Sequence, residues 1–109
     1  MPADKEDEAR HFYGELLGFP ELPKPASLQR LGGVWFGTGT IDLHLGVEDP
    51  FSSARKAHVA YQVDNLELVA NVLRAAGFPV KPDDRLPGYN RFYTEDPFGN
   101  RVEILTPSE

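Results

Sequence analysis

Cysteine is absent from this chain of 109 residues. No disulfide, thiolate metal site or cysteine nucleophile is therefore available, and any metal would have to sit on nitrogen and oxygen ligands. A basic stripe is also absent. Eleven Lys and Arg residues are scattered among seventeen Asp and Glu, for a formal net charge of −6. That balance argues against nucleic acid or an anionic membrane as a partner. No apolar run approaches the length needed to span a bilayer. The N-terminus is acidic where a secretory signal would carry a basic and then an apolar stretch, so the reading is of a soluble cytoplasmic protein. Serines are few and fall in loops or at the C-terminus, with no Gly-x-Ser-x-Gly elbow. Gly32-Gly33 and Gly37-x-Gly39 lie between strand signals and open no helix, so no phosphate-binding loop is expected.

Glycine and proline, in contrast, are plentiful at ten each, and they mark a repeat. Leu16-Leu17-Gly18-Phe19-Pro20 and Ala75-Ala76-Gly77-Phe78-Pro79 both close an amphipathic run, and Gly18 and Gly77 stand 59 residues apart. Residues 4–17 place Ala9, Phe12, Tyr13, Leu16 and Leu17 on one helical face, with acids in the first turn. Residues 64–76 repeat the plan, and Asp64 with Glu67 has capping-box spacing. Strands are expected at 34–36 and 41–47 around a turn at 37–40, at 58–63, and at 91–95 and 101–105 around a turn at 96–100. Shorter strands are expected near 28–31 and 79–81, with 46–56 as the link between halves.

Strand residues alternate faces. Ile41, Leu43, Leu45 and Val47 then share the face under a helix, as do Val102 with Ile104 and Val59 with Tyr61 and Val63. His44, His58 and Glu103 fall on the opposite faces. Two imidazoles and a carboxylate are a ligand mix suited to zinc, iron, manganese or nickel. The repeat adds weight, because His44 and Glu103 also stand 59 residues apart. Taken one at a time, a histidine on a strand is more often solvated than a ligand, and Glu103 could pair with Arg91 or Arg101. Trp35, Phe36, Phe92 and Tyr93 are expected in the core and the pocket wall.

The matching residues Phe12-Tyr13-x-x-Leu16-Leu17-Gly18-Phe19, Leu43-His44-Leu45, His58-x-Ala60-x-x-Val63-Asp64 and Arg91-Phe92-Tyr93-x-x-Asp96-Pro97-x-Gly99-Asn100-x-x-Glu103 run through nearly the whole chain. On these the protein resembles the vicinal oxygen chelate superfamily of glyoxalase I, bleomycin resistance protein, fosfomycin resistance enzymes and extradiol dioxygenases. The resemblance implies an α+β fold of two βαβββ modules that form a cleft-bearing mixed sheet. The first module would span residues 1–52 and the second 53–109. The first strand of module one is missing; an in-frame alternating stretch ahead of Met1 is expected to supply it, the alternatives being that a partner chain supplies or covers the edge or that the first module tolerates the loss.

By the same resemblance, metal ligands come from the first and fourth strands of each module. His58 and Glu103 match two of those positions. His44 matches a third, where glyoxalase I carries Glu. The implied function is a metal-dependent lyase, isomerase or dioxygenase that chelates two oxygens of a small molecule and stabilises an enolate or oxyanion. Trp35, Gln62, Arg91 and Tyr93 would contact the substrate, Glu103 would serve catalysis as well as the metal, and the chain would form a homodimer. The alternative is a metal-free protein of the bleomycin resistance type, whose charge of −6 would favour a cationic ligand.

Overall fold

The computed structural model describes residues 1–109. The fold is α+β, with its strands in two sheets, and the chain separates into two compact units, Met1–Ser53 and Ala54–Glu109. No helix is long and apolar enough to cross a membrane.

In the first unit, helix α1 (Glu6–Ala9) opens with Glu6, Asp7 and Glu8, whose charges suit the helix N-terminus. It was expected to run as one α-helix to residue 17. Instead it passes directly into a π-helix, Arg10–Leu16. The wider turn is visible at its end, where Leu17 N–H donates to Phe12 O, five residues back, and Phe19 N–H to Tyr13 O. Phe12 and Tyr13, adjacent in sequence, are both buried, and their rings meet edge to face at 4.9 Å. The antiparallel sheet of this unit has the order β1-β2-β3, from Glu21–Leu22, Val34–Gly37 and Asp42–Leu45. Val34 and Phe36 are buried and stand opposite Leu45 and Leu43, as alternation requires.

Two further expectations fail in this unit. The strand near 28–31 is a helical turn, α2 (Ala26–Gln29), because the Leu28–Leu31 spacing fits a helical turn once Pro25 supplies the entry. The third strand is β1, two residues between Pro20 and Pro23, too short to show a period. Ile41 is 57% exposed at the turn rather than under the helix. Gly33, at φ 86°, is held against β3 so closely that a Cβ would lie 2.3 Å from Leu45 O. Only glycine fits that approach. Beside β3, the Met1 ammonium donates to Gly46 O (2.8 Å) and Met1 O accepts from Glu48 N–H (2.9 Å). Those are the two bonds a parallel neighbour makes.

The second unit has β4 (Val59–Gln62), α3 (Leu66–Ala75), β5 (Lys81–Asp83), β6 (Tyr89–Glu95) and β7 (Arg101–Pro107), with sheet order β4-β7-β6-β5. β4 runs parallel to β7, while β6 is antiparallel to both β7 and β5. Helix α3 is capped by Asn65, whose side chain accepts from Leu68 N–H at 3.0 Å, rather than by Asp64. Asn65 has the extended backbone and the three-residue spacing that capping needs. The helix ends in a Schellman motif: Phe78 N–H donates to Leu73 O and Gly77 N–H to Arg74 O. That exit occupies residues 77–80, so the strand expected at 79–81 begins at Lys81. Ala70 and Leu73 are buried, as are Tyr61, Phe92, Thr94, Val102 and Ile104 on the sheet. Val59 stays 42% exposed.

Candidate functional site

On β7 the residues alternate, so burying Val102 and Ile104 turns Glu103 to the other face of the sheet. Register puts Tyr93 of β6 on one side of Glu103 and Ala60 of β4 on the other, with His58 just ahead of β4. His58 Nε2 lies 3.0 Å from Glu103 Oε1, and its Nδ1 lies 2.8 Å from Lys56 O. A carbonyl oxygen only accepts, so Nδ1 carries the hydrogen and Nε2 is the atom presented to Glu103. The Tyr93 ring meets His58 edge-on at 5.6 Å. Glu103 is 5% exposed.

The other carboxylate oxygen of Glu103 is also occupied. Arg91 Nη1 donates to Oε2 at 3.2 Å. Arg91 is itself held by Asp83, whose Oδ1 accepts from Nε at 3.3 Å and from Nη2 at 3.0 Å. Asp83 accepts in addition from the Arg85 side chain (2.7 Å) and backbone (3.0 Å). The Arg85 bonds first, and the Arg91 bonds after them, hold the Asp83 carboxyl well below the usual carboxylate range. The Tyr93 ring faces two cations, Arg91 at 5.1 Å and Arg101 at 4.5 Å.

The structure thus brings together four of the expected residues: His58, Glu103, Arg91 and Tyr93. Gln62, exposed at the end of β4, stands opposite Leu105 on the same sheet face. In the first unit, His44 and Trp35 form a pair of their own across β2 and β3, with rings stacked at 3.8 Å and 5° between planes. They border a hollow of about 350 Å³ with Leu28, Leu31 and Val47. No group of three or more His, Asp or Glu side chains gathers around a point that could hold a metal. Asp83 and Arg85 escaped the sequence reading. Their signal was the Asp83-x-Arg85 spacing and an Asp83–Arg91 register that only the β5–β6 pairing reveals.

The most distinctive stretch of the chain, residues 96–100, has an architectural role. Asp96 Oδ1 accepts from Phe98 N–H and Asn100 N–H, and Oδ2 accepts from the Asn100 amide, each at 2.9 Å. Asp96 N–H donates to Asn100 O, which closes the turn between β6 and β7. That turn fixes the register that sets Glu103 beside Tyr93.

His58 Nε2 and Glu103 Oε1 stand at hydrogen-bonding distance, and an imidazole nitrogen and a carboxylate oxygen are both donor types that divalent cations accept. The Lys56 carbonyl fixes the ring and leaves Nε2 facing Glu103.

Residues 2–104 match the model of the glyoxalase/bleomycin resistance protein/dioxygenase superfamily. Among solved structures, a glyoxalase family protein from Bacillus anthracis is 42% identical, with a TM-score of 0.94 over 99% of this chain and 88% of that one. Lactoylglutathione lyase from Agrobacterium tumefaciens is 24% identical, with a TM-score of 0.70 over 97% and 88% of the two chains. A fosfomycin resistance protein from Listeria monocytogenes is 14% identical, with a TM-score of 0.75 over 94% and 84%. These last two share the fold alone. Among curated proteins, none matches.

Proposed function

Because the chain belongs to the glyoxalase/bleomycin resistance protein/dioxygenase superfamily, we propose that it is a glyoxalase-like enzyme that acts on a small molecule with a divalent cation held by His58 and Glu103. The observation that carries this reading is the 3.0 Å separation of His58 Nε2 and Glu103 Oε1, with Nδ1 anchored on Lys56 O. Nickel, zinc, iron and manganese all suit a nitrogen–oxygen pair. Such a cation, when bound, supplies a Lewis acid for two substrate oxygens and for the charge that develops on them. His58 and Glu103 keep their places through Lys56 and Arg91. Tyr93 lines the approach, its ring fixed by Arg91 and Arg101. Gln62 offers an exposed amide on the same face. His44 enters this reading only through the repeat that aligns it with Glu103.

A second reading is favoured by one observation. Arg91 already offsets the Glu103 charge without a cation, as suits a protein that binds a small molecule without metal. Calorimetric titration with Ni²⁺, Zn²⁺, Mn²⁺ and Fe²⁺ separates the two. The enzyme reading expects stoichiometric binding by the native protein and a loss in His58→Ala and Glu103→Gln of more than the roughly ten- to hundred-fold that removing an outer-shell partner costs. A native protein that takes up none of these ions leaves the second reading.

A further inference from the structure

Strand register puts three permanent cations on the sheet face that carries Glu103. Lys81 of β5 stands opposite Tyr93, Arg91 of β6 opposite Asp83, and Arg101 of β7 opposite Glu95. Arg91 is neutralised by Asp83 at 3.0 Å and Glu103 at 3.2 Å. Arg101 is not. Its guanidinium lies over the Tyr93 ring at 4.5 Å, and it forms no ion pair, even with the exposed Glu95. Contact with a ring leaves the five N–H donors of a guanidinium without acceptors. Among the seven arginines of the chain this is unusual. Arg10, Arg74, Arg85 and Arg91 each hold a carboxylate. Arg30 and Arg55 hold none, and both are exposed. Arg101 alone combines half-burial with unused donors. Lys81, on the other side of Tyr93, is exposed and likewise forms no ion pair.

We propose that Arg101, backed by Tyr93 and aided by Lys81, anchors an anionic group of the ligand, a carboxylate or a phosphate. The proposal rests on the reading that this sheet face receives a small molecule, and it needs no metal there. The planar fork of a guanidinium matches two oxygens of either anion at once. The Tyr93 ring holds that fork in place from one side. The same ring meets His58 at 5.6 Å, so a molecule gripped at Arg101 has its remaining atoms beside His58 and Glu103. Arg91 is excluded from this part, because Nη1 is on Glu103 while Nε and Nη2 are on Asp83. The chain as a whole carries a charge of −6, which by itself favours a cationic ligand. Distant surface charges are screened beyond about 8 Å at physiological ionic strength, so the nearest groups decide. Nearest to Tyr93, the charges without a partner are Arg101 and Lys81.

The global and the local charge predict opposite ligands, and that gives the test its sign. Inorganic phosphate, benzoate and benzylamine are titrated into the native protein without added metal at physiological ionic strength. Binding is followed by the nuclear magnetic resonance shifts of Arg101 Nε–H and of the backbone amides. Both anions are expected to shift Arg101 and Tyr93 to saturation, and benzylamine is not. Arg101→Met should weaken both anions about tenfold or more, the worth of a charge-assisted hydrogen bond. Arg101→Lys keeps the charge, loses the fork and should weaken them by less; it carries the test if Arg101→Met does not fold. Lys81→Met should cost about two- to threefold, as an exposed charge does, and Arg30→Met should change nothing. Absent or unsaturable anion binding overturns the proposal, as does benzylamine bound more tightly at the same residues. Native affinity in Arg101→Met and Arg101→Lys overturns it too. Failure of the metal reading stays distinct. A protein that takes up no Ni²⁺ yet saturates with phosphate at Arg101 loses the cation and keeps the anchor, whereas one that binds Ni²⁺ and neither anion keeps the cation and loses the anchor.

Discussion

The two units share a plan, a helix closed by Gly-Phe-Pro and followed by antiparallel strands, but they treat the same position in opposite ways. Glu103 on β7 and His44 on β3 are repeat mates, and each stands across from an aromatic residue, Tyr93 or Trp35. Glu103 is buried, with one oxygen on the His58 imidazole and the other on the Arg91 guanidinium. His44 is exposed and presents a ring face to the indole. The difference comes from the flanking strands. In the second unit β4 runs beside β7 and brings His58 to Glu103, while β5 brings Asp83 to brace Arg91. In the first unit the flank of β3 carries the backbone of Met1, and β1 is two residues long. A repeated frame thus yields a charged cluster on one side and an aromatic stack on the other, and the neighbours make the difference.

Deleting the two repeat mates should expose this contrast most strongly. Glu103→Ala leaves Arg91 and His58 short of a buried partner and is expected to cost about 2–4 kcal/mol, with Asp83 limiting the loss. His44→Ala should cost less than about 1 kcal/mol, since an exposed stack gives little. Equal losses in chemical unfolding would erase the comparison. A smaller effect separates the units by pH. Burial first, and the negative charge of Asp96 second, push the Tyr61 hydroxyl up to about 12. The unfolded chain ionises near 10, so this stabilisation is complete below about pH 10 and is lost as pH rises towards 12. The loss should be on the order of 2 kcal/mol and should vanish in Tyr61→Phe. The smallest effect makes one unit resemble the other. β2 buries Val34 and Phe36, whereas β6 buries Thr94, whose hydroxyl has no hydrogen-bond partner. Thr94→Val should raise stability by about 1 kcal/mol, read as a higher melting temperature.

Much of the frame was legible in the sequence because glycine marks both helix exits. Gly18 and Gly77 each adopt the positive φ that ends a helix, at 78° and 88°. Face alternation also placed Glu103 opposite the core, between the buried Val102 and Ile104, and His44 opposite the half-buried Leu43 and Leu45. The π-helix was hidden, because its i, i+5 bonds leave the apolar spacing of residues 9–17 compatible with an ordinary helix. Leu28 and Leu31 misled for a related reason, as three-residue spacing suits a helical turn as well as a loose strand. The brace on Glu103 was hidden differently. Nothing local ties Asp83 to Arg91, and the contact exists only through the register of β5 against β6. Residues 96–100, the most recognisable segment, signal architecture more than chemistry.

The Trp35–His44 stack has an optical consequence. Trp35 is the only tryptophan in the chain, so indole emission reports on the first unit alone. Its neighbour at 3.8 Å is an exposed imidazole, and any event that parts the rings alters the surroundings of the fluorophore. The protein therefore carries an intrinsic dye at one of its two units, and the tyrosines of the second unit give no competing indole signal. Emission and far-ultraviolet circular dichroism, followed side by side, show whether the two repeats melt as one body or in turn.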